Sequence, residues 1–241
     1  MQVFRFLQHS NYLILIKKKE SIMNSIKKFF LIFVFLLTVN PLFAQVDFGA
    51  DVVSRYIFRG LDFGNAVSAQ PFLSVTAGNF EIGAWGSYAF TGAGPGAGAN
   101  ENDLYITYSY EMISATITDY YFPEGNKFGF YNNNTSSAHI IEGSLSAEFS
   151  GISLLAAYNF YGADQDRSFY FEAGYELYSK DEMSVSAFAG LGNNIYVSDA
   201  AGDPTLVNVG VSASKGALSA SYILNPDLDT NYLVFGYSIG L

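Results

Sequence analysis

The sequence predicts an all-β fold: an antiparallel, up-and-down transmembrane β-barrel of about twelve strands. From residue 45 onward, apolar and polar side chains alternate with a period of two in segments of about ten residues. Very short turns alternate with longer polar loops between these segments, as in a series of hairpins. Only 14% of the residues are charged, against roughly 25% in a soluble globular domain. A surface this apolar favours contact with lipid.

The alternation places the predicted strands one by one. They lie at 46–58, 69–77, 80–90, 102–111, 112–122, 138–149, 151–161, 168–178, 183–194, 205–214, 217–224 and 230–241. In 103–111, for example, Leu104 and Ile106 share one face, and Asp103 and Glu111 share the other. An even number of strands brings both termini to one end of the barrel, together with the short turns. Closure is expected because an open sheet edge in hydrocarbon leaves backbone N–H and C=O groups unpaired, at a cost of several kcal/mol each.

Residues 23–44 have the parts of a secretory signal peptide. Lys27 and Lys28 precede an apolar run at 29–39, and Ala44 is a small residue suited to cleavage. The apolar run is shorter than the roughly 18 residues that a spanning helix needs. Residues 1–22 lie upstream of this signal, and we interpret them as an upstream mis-start that is not structural. The predicted barrel domain comprises residues 45–241.

The predicted mature chain is strongly acidic. Residues 1–44 contain six of the 12 Lys and Arg but one of the 22 Asp and Glu, so the six and 21 that remain give a formal charge of −15. Because no basic stripe is available to neutralise phosphates, no nucleic-acid partner is expected. The chain has no cysteine, which excludes disulfides and thiolate metal sites. The glycine-rich segment 92–98 lacks the lysine of a phosphate-binding loop and is predicted to be an extracellular loop.

A soluble antiparallel sandwich would show the same alternation, so the membrane assignment depends on further features. An export signal precedes the strands, segments of about ten residues suit a tilted strand that crosses a bilayer, and Tyr and Phe cluster toward the segment ends. The last segment, 230–241, resembles the C-terminal recognition strand of outer-membrane proteins, although it ends in Leu241 rather than Phe. These features predict a bacterial outer-membrane location, with outer-membrane lipids and the assembly machinery as partners.

Four motifs follow one another along the first half of the predicted barrel. The pattern S-x-Y-x-F-R-G occupies 54–60, G-A-W-G-S occupies 83–87, E-N-D-L-Y occupies 101–105 and Y-F-P occupies 121–123. In this order the motifs resemble those of the TorF-like porin family, the Gcw_chp-type bacterial outer-membrane β-barrels. The matching family residues here are Ser54, Tyr56, Phe58, Arg59, Gly60 and Trp85. The resemblance covers roughly residues 51–150 and implies an outer-membrane barrel without specifying its solute.

Several charged residues are predicted to face the interior and to form a constriction. They are Asp51, Arg55, Glu81, Asp103, Glu142, Glu172 and Glu176. Arg55 shares the parity of Asp51, and Glu81 is the candidate partner for it because a charge inside a barrel is costly unless it is compensated. Such a network would act either as a gate or as a structural plug of side chains. Excess carboxylates would attract cations, or would simply keep the lumen hydrated. Arg59 is expected to cap the first strand and to hold its loop.

The competing class is an outer-membrane hydrolase. His139 lies beside Ser136 and Ser137, and acyl transfer needs a Ser-His pair. These serines belong to an ordinary polar loop and no nucleophile elbow is present, so neither an enzyme nor a cofactor or metal is expected. The predicted function is a porin-like channel for passive diffusion of small hydrophilic solutes, with a preference for cations. The alternative is a closed, non-conducting barrel that acts as a structural or surface-interaction protein.

Overall fold

The computed structural model describes residues 44–91, 99–123, 131–199 and 202–240, so the predicted upstream segment, the signal peptide up to residue 43 and the loop 92–98 lie outside the described residues. In chain order the strands are β1 (Ala44–Val53), β2 (Ile57–Phe58), β3 (Leu61–Asp62), β4 (Ser68–Ala77), β5 (Phe80–Ala89), β6 (Glu101–Tyr110), β7 (Ile113–Tyr121), β8 (His139–Phe149), β9 (Ile152–Gly162), β10 (Phe169–Lys180), β11 (Met183–Gly192), β12 (Thr205–Lys215), β13 (Leu218–Asn225) and β14 (Thr230–Gly240). One 3-10 turn lies at Asn194–Tyr196. Strands β4 to β14 follow one another around a closed barrel, and β1 lies beside β14. The predicted all-β, antiparallel barrel of twelve strands is confirmed.

The outer face of the barrel is apolar. Ile82, Ile106 and Ile117 are cross-strand partners on β5, β6 and β7, and each is more than 40% exposed. Leu233 and Phe235 on β14 are also more than half exposed. Branched and aromatic side chains suit a pleated wall, but an exposed apolar surface of this extent marks contact with lipid or protein.

The inner face carries many small polar side chains between a few inward aromatic rings, such as those of Tyr105 and Phe188. Pairs of hydroxyl groups bridge neighbouring strands at 2.8–2.9 Å, in the pairs Thr107–Thr116, Ser109–Ser114, Ser184–Ser214 and Ser212–Ser221. Such pairs satisfy one another's hydrogen bonds and stabilise the strand pairing.

Tight turns lie at the end of the barrel where β1 begins and β14 ends, which we call the terminal end. At the turn between β8 and β9, Ser150 and Gly151 both have positive φ angles, of 50° and 78°. This is the type I′ geometry, whose twist matches that of the flanking strands. The longer connections lie at the opposite end, the loop end. This sorting of short and long connections agrees with the prediction.

The first strand ends at Val53 instead of continuing to residue 58 as predicted. The Ser54 hydroxyl accepts the backbone N–H of Phe235 at 2.9 Å, which takes the place of the next ladder bond to β14. The chain then turns inward, and β2 and β3 pair through Ile57 with Asp62 and through Phe58 with Leu61. Arg59 and Gly60 form the connecting turn, with φ angles of 52° and 82°. We call residues 57–62 the inner hairpin.

Within the described residues, no helix is long and apolar enough to cross a membrane.

Candidate constriction site inside the barrel

Arg59 fastens the inner hairpin to the barrel wall. Its Nη1 donates to Glu142 Oε2 at 2.5 Å and its Nη2 donates to Glu142 Oε1 at 2.9 Å, the bidentate arrangement that a guanidinium favours. Nη1 also donates to the Tyr196 hydroxyl at 2.6 Å. The Arg59 and Glu142 side chains are only 8% and 3% exposed, so the ion pair is buried. Burial lowers the pKa of Arg59, but the hydrogen bonds to Glu142 and the nearby charges raise it by more, and the guanidinium stays charged.

Aromatic rings surround the Arg59 guanidinium. Its Cζ lies 4.6 Å from the Phe58 ring centroid, 4.7 Å from that of Tyr170 and 5.7 Å from that of Tyr196. At distances below about 6 Å, the ring quadrupoles attract the cation. Because these rings come from β2, β10 and the 3-10 turn, one arginine connects the hairpin to both the wall and a loop.

Tyr56, the residue just before the inner hairpin, provides a second anchor to the wall. Its hydroxyl donates to Glu101 Oε2 at 2.9 Å, and both residues are buried. Burial and the Glu101 charge raise the pKa of Tyr56, so the phenol remains a donor. Its ring lies 5.5 Å from the ring of Trp85, which is the cross-strand partner of Asp103. The tyrosine therefore packs against β5 while it bonds to β6.

Gly60 brings the tip of the hairpin against β12. A Cβ atom at this position would lie 2.0 Å from the carbonyl oxygen of Val207, and the φ of +82° is left-handed. Asn225 Nδ2 on β13 donates to the Gly60 carbonyl at 3.1 Å. Only glycine fits this close approach, because it lacks a Cβ atom and adopts positive φ without strain.

Replacing Gly60 with alanine is expected to displace the hairpin from the wall. The left-handed backbone alone costs an alanine about 1–2 kcal/mol, and the clash with Val207 adds to it. Trp85 is the only tryptophan of the chain, so its fluorescence reports the loss of the Tyr56 contact. The matched control is Gly78→Ala, because Gly78 also has a positive φ but would place its Cβ in open space. An unchanged Trp85 emission spectrum in Gly60→Ala would contradict the expected displacement.

A small cavity lies beside the inner hairpin. A cavity of about 70 Å³ lies between it and the wall, lined by Leu61, Phe63, Tyr120 and Asn159 among others. Phe58 packs against Tyr120 at a ring-centroid distance of 5.9 Å. A volume of this size holds about two water molecules at the density of the liquid. In the part of the chain that the structure describes, the inner hairpin and the residues beside it thus narrow the loop end of the lumen.

The predicted inner acids lie at different heights instead of forming one ring. Glu142 and Asp103 are buried at the level of the hairpin contacts. Glu172 accepts hydrogen bonds from the Tyr170 hydroxyl and from Asn208 Nδ2, the latter at 2.9 Å. Glu176 pairs with Ser186 nearer the terminal end. The two remaining predicted residues of this group are Asp51, paired with Ser238 on β14, and Glu81, which accepts the Thr76 hydroxyl at 3.1 Å.

The predicted pairing of Arg55 with Glu81 is wrong. Arg55 Nε lies 3.5 Å from Asp62 Oδ1, and its guanidinium lies 5.4 Å from the Tyr232 ring centroid. Glu81 lies just after the turn between β4 and β5, at the terminal end, whereas Arg55 follows β1 at the loop end. The parity of a residue along a strand gives the face of the sheet but not the position along the barrel axis. Parity alone therefore could not show that Arg55 and Glu81 lie at opposite ends of the barrel.

The role predicted for Arg59 is corrected in part, because it does hold the segment that follows the first strand. Instead of capping the end of the first strand, it reaches the opposite wall, where Glu142 binds it. Tyr196 and Asn225 were not singled out in the sequence, and Glu101 was named only as the first residue of the E-N-D-L-Y motif. Glu101 alone carried a usable signal, since it shares the parity of Asp103 on β6. Tyr196 and Asn225 lie in or beside loops, and no local pattern marks them.

His139 lies on the wall at the loop end, on the outer side. It pairs with Tyr121 across β7 and β8, and its Nδ1 lies 2.8 Å from Asp119 Oδ1. The Ser137 hydroxyl donates to the backbone carbonyl of His139 and accepts its N–H, both at 3.1 Å. Of the two serines considered as nucleophiles, Ser137 thus bonds to the histidine backbone at the start of β8, and the Ser136 N–H donates to Asn134 Oδ1 at 2.8 Å.

Comparisons with known proteins give structural likeness only. No protein-family model matches the chain, and no curated protein matches it. A solved structure from work on the in-meso crystallization of membrane proteins aligns with 81% of this chain and 83% of its own, at 6% identity and a TM-score of 0.47. Two tryptophan-substituted mutants of the Rhodopseudomonas blastica porin each align with 82% of this chain at 12% identity. One is covered to 100% with a TM-score of 0.35, and the other to 99% with a TM-score of 0.34.

Proposed function

We propose that this chain is an outer-membrane channel through which small hydrophilic solutes diffuse passively, with the segment 54–63 as its constriction. The observation that carries the proposal is the contrast between the two faces of one closed wall. The outer face presents the isoleucines of β5–β7, whereas the inner face carries hydroxyl pairs and carboxylates. A polar interior inside an apolar exterior is the arrangement of a water-filled transmembrane barrel.

A preference for cations belongs to the same proposal. The two inward arginines are both compensated, Arg59 by Glu142 and Arg55 by Asp62. The other inward carboxylates, such as Glu172 and Glu176, have no cationic side chain against them among the described residues. A lumen with an excess of carboxylates concentrates cations and repels anions.

The outer-membrane location is proposed on the same grounds. The signal peptide predicted at 23–44, the apolar outer face and the resemblance to TorF-like porins support it together. Outer-membrane lipids would then surround the wall, and the outer-membrane assembly machinery would insert it. The proposed activity is passive transport, with no catalysis and no cofactor.

The proposal is tested by single-channel recording of refolded residues 45–241 in a planar bilayer with a KCl gradient. Stable conductance steps with a cation-selective reversal potential are the expected result. A silent bilayer, with insertion verified by protease protection, would contradict the channel.

Neutralising Glu172 and Glu176, two inward carboxylates on β10, is expected to weaken the cation preference. In the Glu172→Gln, Glu176→Gln double variant, the reversal potential should move toward zero while the conductance steps persist, because two charges along the path are removed. The matched control is the Asp181→Asn, Glu182→Gln double variant, because it removes the same number of charges from the exposed turn between β10 and β11. An equal shift of reversal potential in both variants would show that the effect comes from net charge and not from the lumen.

A closed barrel is the second candidate, and the filled loop end favours it. The buried Arg59–Glu142 pair and the cavity of only about 70 Å³ would suit a permanent plug. In that case the recording stays silent for the wild type, and conductance steps appear only in variants that release the inner hairpin. A channel with a constriction, by contrast, conducts more when the hairpin is released.

A further inference from the structure

A groove runs along the outer side of the wall near the loop end. It has a volume of about 530 Å³ and crosses β4 to β8. Leu73, Ala84 and Leu104 line its apolar part. At Gly86, a Cβ atom would lie 3.1 Å from the Tyr88 ring, so the glycine lets this ring lie flat along the wall. The groove is therefore a depression in the apolar outer face, continuous with the exposed side chains around it.

A carboxylate lies at one side of the groove, held in place by two neighbours. Asp119 Oδ1 is 2.8 Å from His139 Nδ1, and the Tyr131 hydroxyl donates to Asp119 Oδ2 at 2.8 Å. Partial burial and the Asp119 carboxylate raise the pKa of Tyr131 to about 12, so this hydroxyl remains a donor at neutral pH. The His139 side chain is 1% exposed, whereas that of Asp119 is 19% exposed. The carboxylate therefore keeps a face toward the groove, with lone pairs available beyond these two bonds.

Aromatic rings flank this carboxylate. The His139 ring is stacked between Tyr131, at a centroid distance of 3.7 Å, and Tyr121, at 4.7 Å. Both tyrosines line the groove, and so does Tyr88, whose hydroxyl bonds to the Asn102 side chain. An ionisable group on an apolar, lipid-facing wall is energetically costly and is therefore a candidate functional site. The position of Asp119 among aromatic side chains indicates that it binds a ligand.

We propose that this groove binds one amine-bearing phospholipid, with an acyl chain along Leu73, Ala84 and Leu104 and the headgroup ammonium at Asp119 and the tyrosine rings. The proposal rests on the membrane location proposed above. A carboxylate beside aromatic faces is the chemistry that recognises an ammonium group, through charge and cation–π attraction together. The apolar part of the groove suits a chain of methylene groups, and its volume is that of an ordinary ligand site.

Charge complementarity selects the amine headgroup over an anionic one. No Lys or Arg lines the groove among the described residues, so nothing there would neutralise an unshielded phosphate. A phosphatidylglycerol headgroup would bring a negative charge to Asp119, whereas phosphatidylethanolamine brings an ammonium to it. The preference for the amine is expected to be roughly three- to tenfold, as for a partly exposed charge pair with an aromatic contact.

The test is native mass spectrometry of the folded protein, released from micelles that contain phosphatidylethanolamine or phosphatidylglycerol with identical acyl chains. We expect one retained phosphatidylethanolamine per protein and several-fold less phosphatidylglycerol. Ala84→Phe should fill the groove and abolish retention of both lipids. Ala187→Phe is the matched control, because Ala187 is an equally half-buried residue of the outer face on β11, away from the groove. Asp119→Asn should keep the adduct but lose the preference between the two headgroups.

Equal retention of the two lipids by the wild type would overturn the headgroup assignment. Retention that is the same in Ala84→Phe and Ala187→Phe would overturn the site. If Ala84→Phe does not fold, as judged by its heat-modifiable mobility in gel electrophoresis, Leu104→Trp is used in its place, because it fills the same groove. The outcome is distinct from that of the channel proposal, because a silent bilayer leaves lipid retention unaffected. Failure to insert into vesicles would instead remove the membrane location on which both depend.

Discussion

Arg59→Ala is expected to raise the conductance of the barrel several-fold and to lower its free energy of unfolding by about 3–5 kcal/mol. The substitution removes both hydrogen bonds from Arg59 to Glu142 and leaves that buried carboxylate without a counter-charge, although the Tyr120 hydroxyl still donates to it at 3.1 Å. It also removes the cation from between the rings of Phe58 and Tyr170. Once released, the inner hairpin no longer fills the loop end. Planar-bilayer recording measures the first effect, and denaturant unfolding in lipid vesicles measures the second.

The double variant Arg59→Met, Glu142→Gln separates the two effects. It removes both charges, so most of the lost stability should return, because no buried charge is left unpaired. The hairpin nevertheless loses its bidentate anchor, and the conductance should stay high. A folded Arg59→Ala protein with wild-type conductance would show that the hairpin does not limit the passage.

Ile106→Arg is expected to destabilise the barrel in lipid vesicles by about 2–4 kcal/mol, the cost of an arginine on a lipid-facing wall near the midplane. Ile106 lies in the middle of β6, between Ile82 and Ile117, with its side chain 42% exposed. If this face were in water, an exposed arginine would cost little. Urea unfolding followed through Trp85 fluorescence provides the free energies.

The matched control for this variant is one residue away. Thr107 faces the lumen, where its hydroxyl bonds to Thr116 at 2.9 Å, so Thr107→Arg places the same charge on the polar side of the same strand. Its cost should be about 1 kcal/mol, for the lost hydrogen bond. Equal losses of stability in the two variants would contradict a lipid-facing outer surface.

The wall could be predicted from the sequence because its signal is local. Alternation with a period of two sets the face of each residue, and the predicted segments 80–90 and 168–178 differ from Phe80–Ala89 and Phe169–Lys180 by no more than two residues at either end. The same alternation misled at the first strand, because Ser54 to Phe58 continue it while leaving the wall. The end of β1 depends on Phe235, which is 181 residues away.

The constriction could be predicted only in part. Asp103 and Glu142 were predicted to face inward, since the face of a strand residue follows from parity, and both are buried. Which charges meet was not predictable, because the meeting of Arg59 with Glu142 requires the hairpin to fold back across the lumen. The turn at Arg59 and Gly60 is visible in retrospect as a tight type I′ turn, but Arg-Gly is a weaker signal for it than Asn-Gly. The outer pair of Asp119 and His139 depends on the register of β7 with β8.

The contacts that anchor the inner hairpin and the preceding Tyr56 to the wall constrain the order in which the molecule folds. Tyr56, Arg59 and Gly60 are bound by residues 45, 83 and 165 positions later in the chain, on β6, β8 and β13. Contacts of such long range form late, because each closes a large loop of chain. Most of the wall must therefore be in place before the hairpin can dock. For the proposed channel we therefore expect a stage of insertion in which the wall is formed before the hairpin has docked, so a newly inserted molecule should leak ions briefly before its conductance becomes steady.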